Sequence, residues 1–296
     1  MRSIVTGGAG FIGSNLCEEL VRKGHDVYSI DDYSSGYERN LKGLDVTAIN
    51  CDVSDYRDML NVFNRIGKID YIFHQAASKK NICLRDPVRD MEVNIRGTYN
   101  VAQLAILFDA KMVHASTGSV YGESVGLQDE MHPLNPVSYY GVSKLAGEKY
   151  VAMLGTKGLR SATLRYFHVY GPKQEDNDHL GGVVAIWIKR IEEGKELVLF
   201  GDGTQRRSFT YVGDVVKANI LAAENGSGVY NCVSGYMYSL NDLVETLENQ
   251  YVTKFKLVKE DWMEGDIKNF NVDNTRIKEI GMKEWVELKT GLYLMT

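Results

Sequence analysis

Seven residues near the N-terminus constrain the fold more than any others: Gly7-Gly8-Ala9-Gly10-Phe11-Ile12-Gly13. They follow the short β-branched stretch Ser3-Ile4-Val5-Thr6. After them Ile12, Leu16, Leu20 and Val21 share one helical face, and Glu18, Glu19, Arg22 and Lys23 the other, with Gly24 where a helix C-cap belongs. A strand running through a glycine turn into a helix suits a bound pyrophosphate. The chain turns sharply, the backbone comes close to the phosphates, and the helix N-terminus offers free N–H groups and the positive end of its dipole. The spacing satisfies Gly-x-Gly-x-x-Gly at Gly8, Gly10 and Gly13, and Gly-x-x-Gly-x-x-Gly at Gly7, Gly10 and Gly13.

The rest of the N-terminal half repeats this alternation. Strands are expected at 27–30, 46–51, 69–73, 112–116 and 161–167, with helices at 55–65, 93–108 and 139–154. Strands alternating with helices imply right-handed crossovers and a parallel sheet. Beyond Phe167 the regularity fades into a loop at 171–182, helices at 183–193, 213–224 and 240–250, and short strands at 197–200, 209–212 and 229–233. The expected class is α/β: a doubly wound parallel (Rossmann) sheet with a smaller interleaved C-terminal portion. Residues 1–167 plus 206–233 would form the dinucleotide domain and 168–205 plus 234–296 the substrate domain.

Asp31 ends the second strand 18 residues after Gly13. A carboxylate there accepts hydrogen bonds from both ribose hydroxyls of NAD and repels the 2′-phosphate of NADP. Arg39, eight residues further on, is too distant to accommodate that phosphate. Asp52, after the third strand, is placed either to accept from the adenine amine or simply to be solvated.

Composition narrows the class. With 34 Lys and Arg against 39 Asp and Glu in 296 residues, the net charge of −5 disfavours a nucleic-acid binder. No apolar run approaches the ~18–20 residues of a membrane span. The first strand runs directly into glycines, so no signal peptide is expected. The four cysteines lack a Cys-x-x-Cys pair, which excludes a zinc ribbon and suits reduced thiols in the cytoplasm; no metal site is expected.

Tyr140 and Lys144 stand four residues apart on one predicted helix face, where their side chains can converge. Free tyrosine titrates near ~10, and a neighbouring ammonium together with a positive nicotinamide ring favours its phenolate. So tuned, it can take a proton from a sugar hydroxyl while hydride leaves for the nicotinamide. An aromatic ring packed on a lysine stem gives the same spacing without chemistry. Ala115-Ser116-Thr117-Gly118-Ser119-Val120-Tyr121-Gly122 ends a predicted strand, at the edge where such sheets bind ligands.

Together these residues resemble the extended short-chain dehydrogenase/reductase family, specifically its NAD-dependent nucleotide-sugar epimerases and dehydratases. The resemblance extends through Asp31–Gly36, His74-Gln75-Ala76-Ala77, Asn94–Asn100, Ser138–Lys144, Leu164–Pro172 and Gly201–Val215. It implies Tyr140 as base, Lys144 as its partner and a nicotinamide-ribose ligand, and Thr117 as the hydroxyl that holds the reacting sugar oxygen. For the cofactor it implies Gly7, Gly10, Phe11, Ile12, Gly13, Asp31, Asp32, Ser35, Gly36, Asp52 and Val53, with Gln75, Ala76, Ala77, Asn94, Ser116 and Tyr166. For a nucleotide-sugar substrate, with UDP expected first, it implies Thr117, Ser119, His168, Val183 and Arg207. Lys79 joins that set as a candidate for a phosphate or a sugar carboxylate, with a solvated charge as the other reading.

Departures from the family pattern bear on the reaction. Dehydratases carry Asp-Glu immediately after the catalytic Thr, where this chain has Gly118 and Ser119. Without those acids the segment supports oxidation to a 4-keto sugar and return of hydride to its other face, which is 4-epimerisation. A net ketoreductase or dehydratase, and a non-catalytic NAD-binding regulator, remain as alternatives. His168 stands where the family has Asn, Ser208 where it has Asp, and Met263 where it has Arg. The family pattern also implies a homodimer through a four-helix bundle, with which Val93, Val101, Leu104, Ala105, Leu145 and Val151 are compatible, though packing in the chain's own core explains them equally well.

Overall fold

The computed structural model describes residues 1–123, 126–176, 181–262 and 271–295. The dinucleotide half contains β1 (Arg2–Thr6), α1 (Phe11–Arg22), β2 (Asp26–Asp31), β3 (Val46–Asn50), α2 (Tyr56–Ile66), β4 (Tyr71–His74), α3 (Lys80–Arg85), α4 (Pro87–Asp90), α5 (Thr98–Leu107), β5 (Lys111–Thr117), α6 (Tyr139–Gly155) and β6 (Ser161–Tyr166). There follow β7 (Val169–Tyr170), α7 (Val183–Glu192), β8 (Leu197–Phe200), β9 (Arg206–Arg207), β10 (Thr210–Tyr211), α8 (Val212–Asn225), β11 (Gly228–Cys232), β12 (Tyr238–Ser239), α9 (Leu240–Tyr251), β13 (Leu257–Glu260) and α10 (Leu288–Tyr293).

Seven strands pair in parallel in the order β11-β6-β5-β4-β1-β2-β3. Successive strand residues face opposite sides, and both sides are covered. Ile4, Ile72 and Met112 point into the core beneath α2, α5 and α6, where Met59, Phe63, Val101 and Val151 lie. Val5, Phe73 and Val113 point the other way, against Leu16 and Leu20 of α1 and Val215 and Ala218 of α8. The strand order reverses between β1 and β4, which opens a crevice at the carboxyl edge of the sheet.

A second core joins Tyr170, Trp187, Leu197, Phe209, Leu243 and Leu292. Its strands are short pairs, with β7 beside β10, β8 beside β13 and β9 beside β12. The start of α9 is fixed by a reciprocal cap: Ser239 Oγ accepts from Asp242 N at 3.0 Å and Asp242 Oδ2 from Ser239 N at 2.7 Å. Ile277, Ile280 and Met282, late in the chain, return to the first core beside α8.

The helix expected at 93–108 is broken in kind. A π-helical turn, Met91–Gly97, precedes α5, an insertion of the sort that gathers at functional sites. The candidate dimer positions follow the core reading. Val93, Val101, Leu104, Ala105 and Val151 are buried within this chain's own core, and Leu145 packs against the cluster of Val120, Tyr121 and Phe167. The side of α5 and α6 that faces outward instead carries Leu107, Val142, Tyr150 and Met153.

Asp214, in the first turn of α8, is buried and accepts from Val286 N at 2.8 Å. Burial pushes its carboxyl up to about 6, against the Val286 N–H. Because this lies above an unfolded Asp at ~3.9, the fold favours the protonated acid, and stability is gained as pH falls from about 6 toward ~4. Asp214→Asn is expected to raise the thermal midpoint at pH 8 by a few degrees, a gain that vanishes at pH 4; melting curves at the two pH values check it.

Candidate active site

The glycine turn leaves α1 open to a ligand. Gly10 caps the helix with extended backbone, no side chain satisfies the first N–H groups, and no acid lies in the first turn. Gly7 has φ +67°, and a Cβ there would lie 2.6 Å from Ala76 N. A Cβ on Gly13 would lie 2.0 Å from Gly7 O. Only hydrogen fits at either position. Gly7, Gly10, Phe11, Ile12 and Gly13 all line one cleft, with Ser35, Gly36, Val53, Gln75, Ala76 and Ala77.

At one end of the cleft Asp31 is buried, with Oδ2 accepting from Ala9 N and Oδ1 from Tyr33 N, each at 2.9 Å. Burial raises its pKa against those two N–H groups. A Cβ on Gly36 would lie 2.9 Å from both Asp31 oxygens, so that residue leaves the carboxylate its space. Asp32 and Asp52 are joined by an arginine that the sequence reading missed. Arg89 Nη2 meets Asp32 Oδ2 at 2.9 Å and Asp52 Oδ2 at 2.7 Å. Burial alone would raise the Asp52 carboxyl, but hydrogen bonds from Ser54 and Arg89 leave it lowered. Arg39, by contrast, lies over the Tyr37 ring at 4.2 Å. Nothing in local spacing points to Arg89, because only the packing of α4 brings it to the strand ends.

At the other end Tyr140, Lys144, Ser116 and Tyr166 share the cleft wall. Ser138 Oγ caps α6 by accepting from Gly141 N at 3.1 Å, which starts the helix one residue before Tyr140. Thr117, the last residue of β5, hydrogen-bonds the Tyr140 phenol. Its Oγ1 also accepts from Ser119 N at 3.2 Å. Lys144 is 1% exposed, and its Nζ meets no hydrogen-bond partner among the described residues. Burial pushes Lys144 down to about 8, with Glu148 and Asp90 opposing, and pushes Tyr140 up to about 12. In the protein alone, burial outweighs the hydrogen bond from Thr117 that favours the phenolate.

Behind this wall Ser116 Oγ donates to Glu148 Oε1 at 2.5 Å, and Arg165 Nη2 donates to Glu148 Oε2 at 2.7 Å. Tyr166 Oη donates to Gln75 Oε1 at 3.0 Å and accepts from Asn219 Nδ2 at 2.8 Å, which holds its ring at the cleft. His74 is buried between Thr6 and Thr98, and burial with nearby Lys144 pushes it down to about 3, so it stays neutral.

Asn94 and Lys79 differ in how they relate to the cleft. Asn94 is fully buried and does not line the cleft; its amide is committed to Ser78 N at 2.9 Å and Asp90 Oδ1 at 2.5 Å. It braces the cleft wall from behind. Lys79 lines the glycine-turn cleft, where burial lowers its pKa against Asp31 and Glu175. Tyr140 and Lys144 line the same cleft.

Among the substrate candidates, His168 has φ +39° and its ring meets Phe209 edge-on at 6.4 Å. Arg207 is buried in β9, which pairs with Tyr238 of β12, and Val183 begins α7. These residues belong to the second core's side of the molecule, whereas Ser119 sits in the turn after Thr117. Met263 lies outside the described residues.

The glycine cradle without room for Cβ atoms, the uncapped helix and the orphaned Lys144 ammonium all fit a dinucleotide. The profile of the NAD dependent epimerase/dehydratase family matches residues 3–233. The chain belongs to that family; it is an NAD-dependent enzyme of the epimerase type. Among its relatives, a putative UDP-glucose 4-epimerase of Methanocaldococcus jannaschii is 34% identical over 294 residues, 98% of this chain and 95% of that protein. The crystal structure of Thermotoga maritima UDP-glucose 4-epimerase with UDP-glucose matches with TM-score 0.95 and 35% identity, covering 100% of this chain and 97% of that one. The Thermus thermophilus UDP-glucose 4-epimerase complexed with NAD matches with TM-score 0.92 and 31% identity, covering 100% and 97%.

Gly13→Ala is expected to yield protein that has lost at least about tenfold in NAD affinity, because relieving the clash moves the turn. Quantifying NAD in the purified variant by chromatography checks it.

Proposed function

We propose that the protein is a nucleotide-sugar 4-epimerase that works through a transient 4-keto sugar, with a UDP-hexose, a UDP-N-acetylhexosamine or a UDP-hexuronate as substrate. The observation that carries this reading over elimination is Gly118. A Cβ there would lie 2.2 Å from the Phe167 ring, so the position after Thr117 has no room for the carboxylate that a dehydratase needs. Ser119 provides no acid either.

Tyr140 Oη takes the proton of the sugar's 4-hydroxyl, while Thr117 holds that hydroxyl toward the phenol. NAD, held by the glycine turn, Asp31 and Lys144, would supply a positive ring that favours phenolate and the acceptor for a hydride. Lys144, buried and without a partner of its own, is free to hold the nicotinamide ribose and to place positive charge beside Tyr140. Epimerisation then requires the keto sugar to turn before hydride returns, and the proton passes back from Tyr140 Oη to the 4-oxygen. No net NADH accumulates.

We also assign the two parts their roles. Residues 1–167 with 206–233 hold NAD, and 168–205 with 234–296 receive the nucleotide sugar through Arg207, His168 and Val183. The apolar face of Leu107, Val142, Tyr150 and Met153 supports a homodimer built on α5 and α6. Four buried, unbridged cysteines suit a reducing cytoplasm.

Tyr140→Phe is expected to lower kcat by about 10²–10⁴ while the protein still retains NAD, since only the proton acceptor is lost. Retained turnover would overturn the mechanism. Incubation with a panel of UDP-, GDP-, dTDP- and CDP-sugars, with products identified by NMR, is expected to show two sugar stereoisomers interconverting. A stoichiometric absorbance change at the NADH band would instead establish a ketoreductase.

A further inference from the structure

The cleft holds a charge cluster that neither the glycine turn nor the Tyr140 pair requires. Arg89 belongs to the short helix α4, which starts at Pro87. One of its terminal nitrogens, Nη2, spans Asp32 Oδ2 at 2.9 Å and Asp52 Oδ2 at 2.7 Å. The other, Nη1, donates to Ser54 Oγ at 3.2 Å and faces Glu92 Oε2 at 3.5 Å. Arg89, Asp32 and Asp52 all form part of the cleft wall beside Asp31 and Val53.

Asp32 and Asp52 sit just past the ends of β2 and β3, neighbouring strands in register with Asp31 opposite Asn50. Two carboxylates so close repel one another unless a cation joins them, and a planar guanidinium can give one N–H to each. Their other oxygens are also engaged. Asp32 Oδ1 accepts from Ser34 N at 3.0 Å, and Asp52 Oδ1 from Ser54 N at 2.8 Å. Asp52 is thus fixed in place and in rotation, yet a carboxylate has about four acceptor sites and three are used here, by Ser54 N, the Ser54 side chain and Arg89, leaving acceptor capacity for a ligand.

We infer that Arg89 is the positioning residue for adenine recognition: it fixes Asp52 so that this carboxylate reads the exocyclic amine of the adenine of NAD. The inference rests on NAD lying with its adenosine end against Asp31 and Asp52. Arg89 is not a latent 2′-phosphate ligand, because its terminal donors are committed to carboxylates and a serine hydroxyl. Reaching a phosphate would break two charge-assisted bonds in a rim that already carries Asp31, Asp32, Asp52 and Glu92.

The test compares NAD with nicotinamide hypoxanthine dinucleotide, which carries an oxo group where adenine has the amine. Each is allowed to displace labelled NAD from the full-length holoenzyme, in wild type, Arg89→Ala, Arg89→Lys and Glu92→Gln. Wild type is expected to prefer NAD by about tenfold, the worth of one hydrogen bond to a charged acceptor. In Arg89→Ala that preference falls to within about twofold, Arg89→Lys lies between, and Glu92→Gln keeps the wild-type ratio. A destabilised pocket would weaken both dinucleotides alike and leave the ratio unchanged, which overturns the inference. Equal binding of both by wild type overturns it too, since Asp52 would then not read the amine. If the wild-type protein holds neither dinucleotide, the reading of the cleft as an NAD site fails. Should Arg89→Ala not be recovered folded, Arg89→Lys carries the same reading, and an unaltered ratio there is also fatal.

Discussion

The backbone after β1 passes so close to the backbone after β4 that residue 7 has no room for a side chain, 2.6 Å being the distance from its Cβ position to Ala76 N. This contact occurs where the strand order reverses, so the two loops leave the sheet in opposite directions and then meet at one point. The uncapped N-terminus of α1, the Asp31 carboxylate and the Gln75–Ala77 wall are all placed by it. A parallel sheet buried on both faces makes the crevice rigid, because every strand is held by side chains above and below.

On that frame the reacting groups are tuned chiefly by desolvation. Burial raises the phenol of Tyr140 to about 12 and lowers the ammonium of Lys144 to about 8, so near neutral pH the bare pair is a neutral phenol beside a lysine that is still largely protonated. The buried acids Glu148 and Asp90 work against the lowering by favouring the lysine's proton. Glu148 in turn is neutralised by Arg165 and touches Ser116, the residue before Thr117. One carboxylate therefore links the helix of Tyr140 to the strand of Thr117.

Periodic features were legible in the chain. The strand expected at Ser3–Thr6 forms as Arg2–Thr6, and the helix expected at 139–154 as Tyr139–Gly155. The helices expected at 55–65 and 183–193 form at Tyr56–Ile66 and Val183–Glu192. What escaped were features made by packing between distant segments. Arg89 reaches Asp32 across 57 positions of sequence, and no window around either residue contains the other. The bonds of Asn94 to Ser78 and Asp90, made from a π-helical turn, belong with these. Lys79 was read from its charge and its place after His74-Gln75-Ala76-Ala77, and its burial near Glu175 and Asp31 is again a product of packing.

The tight fit of Gly118 under Phe167 has a consequence for how such a chain can change its chemistry over evolutionary time. An acid introduced at that point by a single codon change would first have to displace an aromatic ring packed on Val120, Tyr121 and Val233. Any side chain at position 118 therefore calls for an accompanying change in how Phe167 packs.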